Sequence, residues 1–110
     1  MAGSLRKYTV QEADNAALGQ AGSVFISTAD TDVSPTSGVF VAITIIADAK
    51  FNDLIPEDGA GKQYMSTGSP SDSGGGQTLT NATEFPAGVT IYGRWQTIDI
   101  DAGSVIAHIG

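Results

Sequence analysis

Residues 39 to 47 read VFVAITIIA, an uninterrupted stretch without a single charge in which Val, Ile and Thr dominate. Branching at Cβ stiffens these side chains and favours the extended backbone over the helix, and the stretch has no helix caps. A strand with one wet face would alternate apolar and polar residues. This one is apolar on both faces except at Thr44, which predicts a central strand covered on both sides. A chain that contains such a strand has to build a sheet around it.

The neighbouring segments supply candidates for that sheet. SVFIS, from Ser23, is a short apolar run, and TADTDVSPTSG gathers Thr, Asp, Ser, Pro and Gly into a connection. After DAK comes FNDLI, read as a short strand or turn that ends at Pro56 and the exposed EDGAG, and QYM is a further brief strand. The Gly/Ser-rich stretch STGSPSDSGGGQT, residues 66–78, is a flexible loop by composition. At the N-terminus Thr9 stands three residues before Glu12, the spacing of a capping box, with Gly19 as a stop. Residues 1–22 therefore form either a short helix or an extended arm, since Val10, Ala13, Ala17 and Leu18 give only a thin apolar face. The 110 residues make one β-rich domain.

The last third carries the most information. Val89 and Ile91 share odd positions with Gly93 and Trp95, and then the apolar residues move to even positions at Ile98 and Ile100. A change of phase within one extended run predicts a β-bulge or bend between Gly93 and Thr97. Trp95 should be buried, and Arg94, beside it in the strand, should face solvent or a neighbouring chain. Asp101-Ala102-Gly103 reads as a turn with Gly103 at positive φ, and Ser104 to Ile109 as the returning strand of a C-terminal hairpin. The expected fold is mainly β, a compact antiparallel β-sandwich or barrel.

Twelve acidic against five basic residues leave a formal charge of −7, which repels phosphate backbones and anionic membranes, so neither nucleic acid nor membrane is an expected partner. Without cysteine there is no disulfide framework and no thiolate metal site. No apolar stretch follows Arg6 and Lys7, and no run reaches the ~18 residues of a membrane span, so a soluble protein without a secretion signal is expected.

Motifs of chemistry are thin. Asp72-Ser73-Gly74-Gly75 resembles the segment around the nucleophilic serine of trypsin-like proteases, but the lone histidine, His108, follows it rather than preceding it. GAGKQ, residues 59–63, lacks the hydroxyl after Lys62 and the earlier glycine of a phosphate loop. Asp99, Asp101 and Gly103 have the opening spacing of a calcium loop without its closing glutamate, and Asp30 with Asp32, or Glu57 with Asp58, could approach a cation. All read better as turn acids, so no metal, cofactor or enzymatic activity is expected. His108, without a second histidine or cysteine, is expected on the outward face of the last strand or at a subunit boundary. Asn81-Ala82-Thr83, formally a glycosylation acceptor, reads as a turn.

GVFVAITIIADAKFNDL and FPAGVTIYGRWQTIDIDAGSVIAHIG, within residues 38–54 and 83–110, together resemble small virion proteins of tailed bacteriophages, of the capsid decoration or cement type. The shared style is a hydrophobic strand leading to Asp and Phe, then PAG, IYGRW and a closing strand. The resemblance implies a homo-oligomer, a trimer in particular, on the outer capsid surface, bridging major capsid protein subunits with each contact reinforced by avidity. Candidate interface residues are Arg6, Lys7, Arg94 and His108, with the 66–78 loop. A tail, fibre or head-to-tail joining component would use the same β chemistry. A carbohydrate-binding module would instead use Trp95, Tyr92 or Tyr64 as a stacking platform.

Overall fold

Three strands make up the regular structure of residues 22–57, 64–67 and 77–110, the part of the computed structural model that is described; there is no helix among them. The expected N-terminal helix or arm, with Arg6 and Lys7, lies outside these residues, as does most of the 66–78 loop. Strand β1 is Ser23–Ser27, β2 is Phe40–Pro56 and β3 is Thr90–Ile109. The order in the sheet is β1-β3-β2.

The uncharged run forms the first half of β2, and the strand then continues through Asp48 and Lys50 instead of breaking before FNDLI. The polar DAK segment marks a bend. Ala47 lies opposite Ser104 and Lys50 opposite Ala102, so β2 advances one residue more than β3 here. Ile46, Ala47 and Asp48 are exposed at the bend, and burial resumes at Ala49 and Phe51.

β3 runs antiparallel to β2 along nearly its whole length: Phe40 faces Ile109, Ile45 faces Val105, Phe51 faces Ile100 and Ile55 faces Thr97. Its first residues lie along the opposite edge of β2, with Tyr92 opposite Ala42, Ile91 opposite Ile43 and Thr90 opposite Thr44. Ala42 to Thr44 are therefore paired on both edges, as a central strand should be. β3 crosses between the two edges near Trp95, which is opposite both Phe40 and Pro56.

This register replaces the expected C-terminal hairpin. Residues 94–100 and 104–109 do not face each other; they follow one another along β2, and β3 passes through Asp101–Gly103 without reversing. Gly103 does take positive φ, +81°, but it does so opposite the bend in β2, where an added Cβ would stand 2.3 Å from the Asp48 carbonyl oxygen. No side chain fits there. β1 closes the other side of β3, from Ser23 opposite His108 to Ser27 opposite Ser104.

Trp95, Phe40, Phe51, Ile26, Ile43 and Ile45 are among the largest fully buried side chains, each contributing about 1.5–3 kcal/mol by leaving water. Phe85, held opposite Ala49 by an isolated bridge, meets Phe51 edge to face at 5.3 Å. The radius of gyration, 12.9 Å, is that of a compact domain of this size.

Candidate functional site

The phase change in β3 is where the sequence places it. Trp95 lies opposite Pro56 and Thr97 opposite Ile55, which leaves Gln96 as the extra residue of a bulge. Burial follows: Ile91, Gly93 and Trp95 are inside before it, Ile98 and Ile100 after it. The indole of Trp95 folds back along its own strand, so that a Cβ on Gly93 would be 2.6 Å from Cζ2. Trp95 Nε1 donates to the Met65 carbonyl at 2.9 Å, and its ring meets that of Tyr64 edgewise at 6.5 Å. Buried and hydrogen-bonded, Trp95 is a core residue.

Arg94, on the other face, is engaged by its own chain. Its Nε and Nη2 donate to the two carboxylate oxygens of Glu57, the second at 3.1 Å, and the Glu57 amide donates to the Arg94 carbonyl at 3.0 Å. The fork-to-carboxylate pairing fixes both side chains, which are only 15% and 29% exposed. What this surface presents is an ion pair.

His108 stands on the face of the sheet turned away from the core. Directly opposed residues of antiparallel strands share a face, which puts Ser23, His108, Ala42 and Tyr92 in one row, and Phe25, Ile106, Thr44 and Thr90 in the next. Side-chain contacts agree: Thr44 Oγ1 lies 3.2 Å from both Thr90 Oγ1 and His108 Nε2. His108 Nδ1 is buried and has no hydrogen-bond partner among the described residues. Phe25 and Tyr92, at the two sides of this face, are each 62% exposed, and Ile46, two residues beyond Thr44 in β2, is 47% exposed.

A third feature gathers acids. Asp53 and Asp99 are opposite one another on β2 and β3, and the Val33–Ile98 bridge, with reciprocal amide bonds of 2.8 and 2.9 Å, brings Asp32 beside them. A carboxylate oxygen from each lies within 4.8 Å of the others. Loss of water around Asp32 and the charges of Asp99 and Asp53, together with hydrogen bonds to both, hold its carboxyl above the usual range. Asp32 also takes positive φ, +47°, which Asp tolerates better than most residues. The all-oxygen donor set is the kind that hard divalent cations accept. A proton on Asp32 relieves the same repulsion, so the arrangement does not require an ion.

The structure thus brings together a different set from the one the sequence suggested. Asp32 meets Asp53 and Asp99, whereas the sequence pairs it with Asp30; the missing signal was the register of β2 on β3, which no local spacing encodes. Asp30 instead caps the end of β1, its carboxylate accepting from the Ser27 amide at 3.0 Å. Phe25 was legible only as part of an apolar run. Its exposure follows from alternation with Ile26, which is fully buried.

Comparison with known proteins finds no matching family model, curated protein or solved structure. The functional reading rests on the chain itself.

Proposed function

We propose that this chain is a non-enzymatic virion structural protein, a capsid decoration or cement protein that bridges major capsid protein subunits on the outer surface of a bacteriophage. The observation that carries the reading is the division of its aromatic residues. Trp95 is locked in the core, while Phe25 and Tyr92 stand in an exposed sheet face suited to contact with other proteins. The resemblance of residues 38–54 and 83–110 to small phage proteins supplies the class, and a homotrimer with an N-terminal arm bearing Arg6 and Lys7 belongs to the same proposal. So does closure of the sheet into a small barrel, for which pairing of Ala42 with both Tyr92 and His108 is the support.

The test is binding of purified protein to expanded capsids. Saturation at a fixed stoichiometry, with a rise in the temperature at which the particles open, is expected; absence from mature particles would overturn the proposal. A low copy number confined to one vertex would assign the chain to the tail or the head-to-tail junction. A carbohydrate-binding reading rests on Tyr92, since Trp95 is inaccessible and Tyr64 is partly buried against the core, and predicts glycan-array binding that is lost in Tyr92→Ala.

A further inference from the structure

Strand β1 lies at the margin of the sheet, and the direction of its backbone groups follows from its hydrogen bonds. The Ile109 amide donates to the Gly22 carbonyl at 2.9 Å, so Val24 and Ile26, at intervals of two from Gly22, turn their amides and carbonyls toward β3. The residues between them turn theirs away from the sheet. Ser27 shows this directly: its amide donates to the Asp30 carboxylate at 3.0 Å and its carbonyl accepts from the Asp30 amide at 3.1 Å. Ser23 and Phe25 present the same outward pair of groups, and no described residue bonds to them.

Native sheet edges are guarded by charge, proline, a bulge or a covering segment. Asp30 guards the Ser27 end of β1. From Ser23 to Phe25 the strand has no charge, no proline and an unbroken register on β3, and the ring of Phe25 is exposed. We infer that this edge accepts an extended segment of another protein as an added antiparallel strand, with a basic residue of that segment meeting Asp30. The partner residue opposite Phe25 exchanges two backbone hydrogen bonds with it, and the residue two positions further on does the same with Ser23. A side chain opposite Phe25 shares its face, which favours a branched apolar residue there. Two positions earlier, opposite Ser27, the ladder stops because Asp30 already holds that amide; its carboxylate is exposed, and Lys or Arg at this position completes the contact. A second copy of β1 fits less well, since it would set Ser23 opposite Ser27 and bring together two chains of formal charge −7. The inference goes beyond the capsid reading, because a segment of this chemistry can belong to any partner protein.

The experiment is NMR of the full chain titrated with a blocked peptide, Lys-Thr-Val-Thr-Val-Thr, whose Lys falls opposite Ser27 and whose first Val falls opposite Phe25. Solvent exchange of the Ser23 and Phe25 amides should slow about tenfold when the peptide stands at about ten times its Kd, while the Val24 amide, already bonded to β3, is unchanged. Glu in place of the peptide's Lys should weaken binding about fivefold. Asp30→Asn keeps an oxygen to cap Ser27 but removes the charge, and should erase the difference between the two peptides. Ser23→Pro removes one outward donor at the first position of an edge strand, where proline is tolerated, and should weaken both peptides about threefold to tenfold. No slowing at ~10 mM peptide, beyond the range of useful affinities, would overturn the inference. So would slowing at the Thr90 and Tyr92 amides instead, or equal binding of the Lys and Glu peptides to the wild-type chain. Protection of Ser23 and Phe25 that grows with protein concentration alone would assign the edge to a second copy and overturn it as well.

Discussion

At the scale of single residues, two positions are explained by what stands next to them. The space above Gly93 belongs to the indole of Trp95, so the glycine is a packing requirement of its own neighbour. Asp32 is placed among like charges, and its raised proton affinity has a consequence for stability. Its folded value lies above the ordinary 3.8, so at neutral pH the ionised cluster opposes folding; as pH falls through the raised value, the folded chain takes up a proton that the unfolded chain does not, and the opposition fades. Asp32→Asn should therefore raise the melting temperature at pH 7, with the gap to wild type narrowing toward pH 4. Asn also accepts positive φ, so the backbone does not offset the gain. Calorimetry across that pH range checks the sign, and a lower melting temperature at pH 7 would contradict the repulsion.

At the scale of elements, β2 and β3 are long because each bends where a shorter strand would stop. The bends use different devices. At Gln96 an extra residue shifts the phase of β3, and at Gly103 a left-handed residue lets β3 follow the bend at Asp48. A methyl group at Gly93 would press on an indole ring, whereas at Gly103 it would meet backbone oxygens of Ala47 and Asp48 in a conformation that alanine also disfavours. Gly93→Ala should cost about 1–3 kcal/mol, the usual range for overpacking. Gly103→Ala should cost more. Urea unfolding midpoints of the two variants measure the order, and the reverse ranking would place the strain elsewhere.

At the scale of the whole molecule, β3 is the one strand of the three that pairs with both others. Its last residues, 104–109, hold all of β1 and one edge of the first half of β2. Deleting residues 104–110 should therefore remove the cooperative thermal transition altogether rather than trim a terminus, because β1 is left without a partner and Ala42 to Thr44 lose one of their two neighbours. Far-UV dichroism during heating is the measurement. A truncated chain melting within a few degrees of wild type would show that the sheet does not depend on this closure. The meeting of Phe25, Thr44, Tyr92 and His108 on one outer face is likewise a property of the assembled sheet, since they come from three strands.

What the sequence determined by itself was local: the extended, β-branched run at 39–47, the phase change between Gly93 and Ile98, the burial of Trp95 and the positive φ of Gly103. Each depends on side-chain branching, on period-two alternation or on the freedom of glycine, all of which act within a few residues. The meaning of Gly103 did not follow from its conformation, because the same φ serves a hairpin turn or a strand that continues past a bend. Only the approach of Asp48, more than fifty residues earlier in the chain, distinguishes them. The pairing of Arg94 with Glu57, the meeting of Asp32, Asp53 and Asp99, and the sharing of one face by Phe25 and Tyr92 were decided by tertiary structure in the same way. They depend on register between distant strands, which is set by collective burial of the core and leaves no mark in the spacing of the residues it brings together.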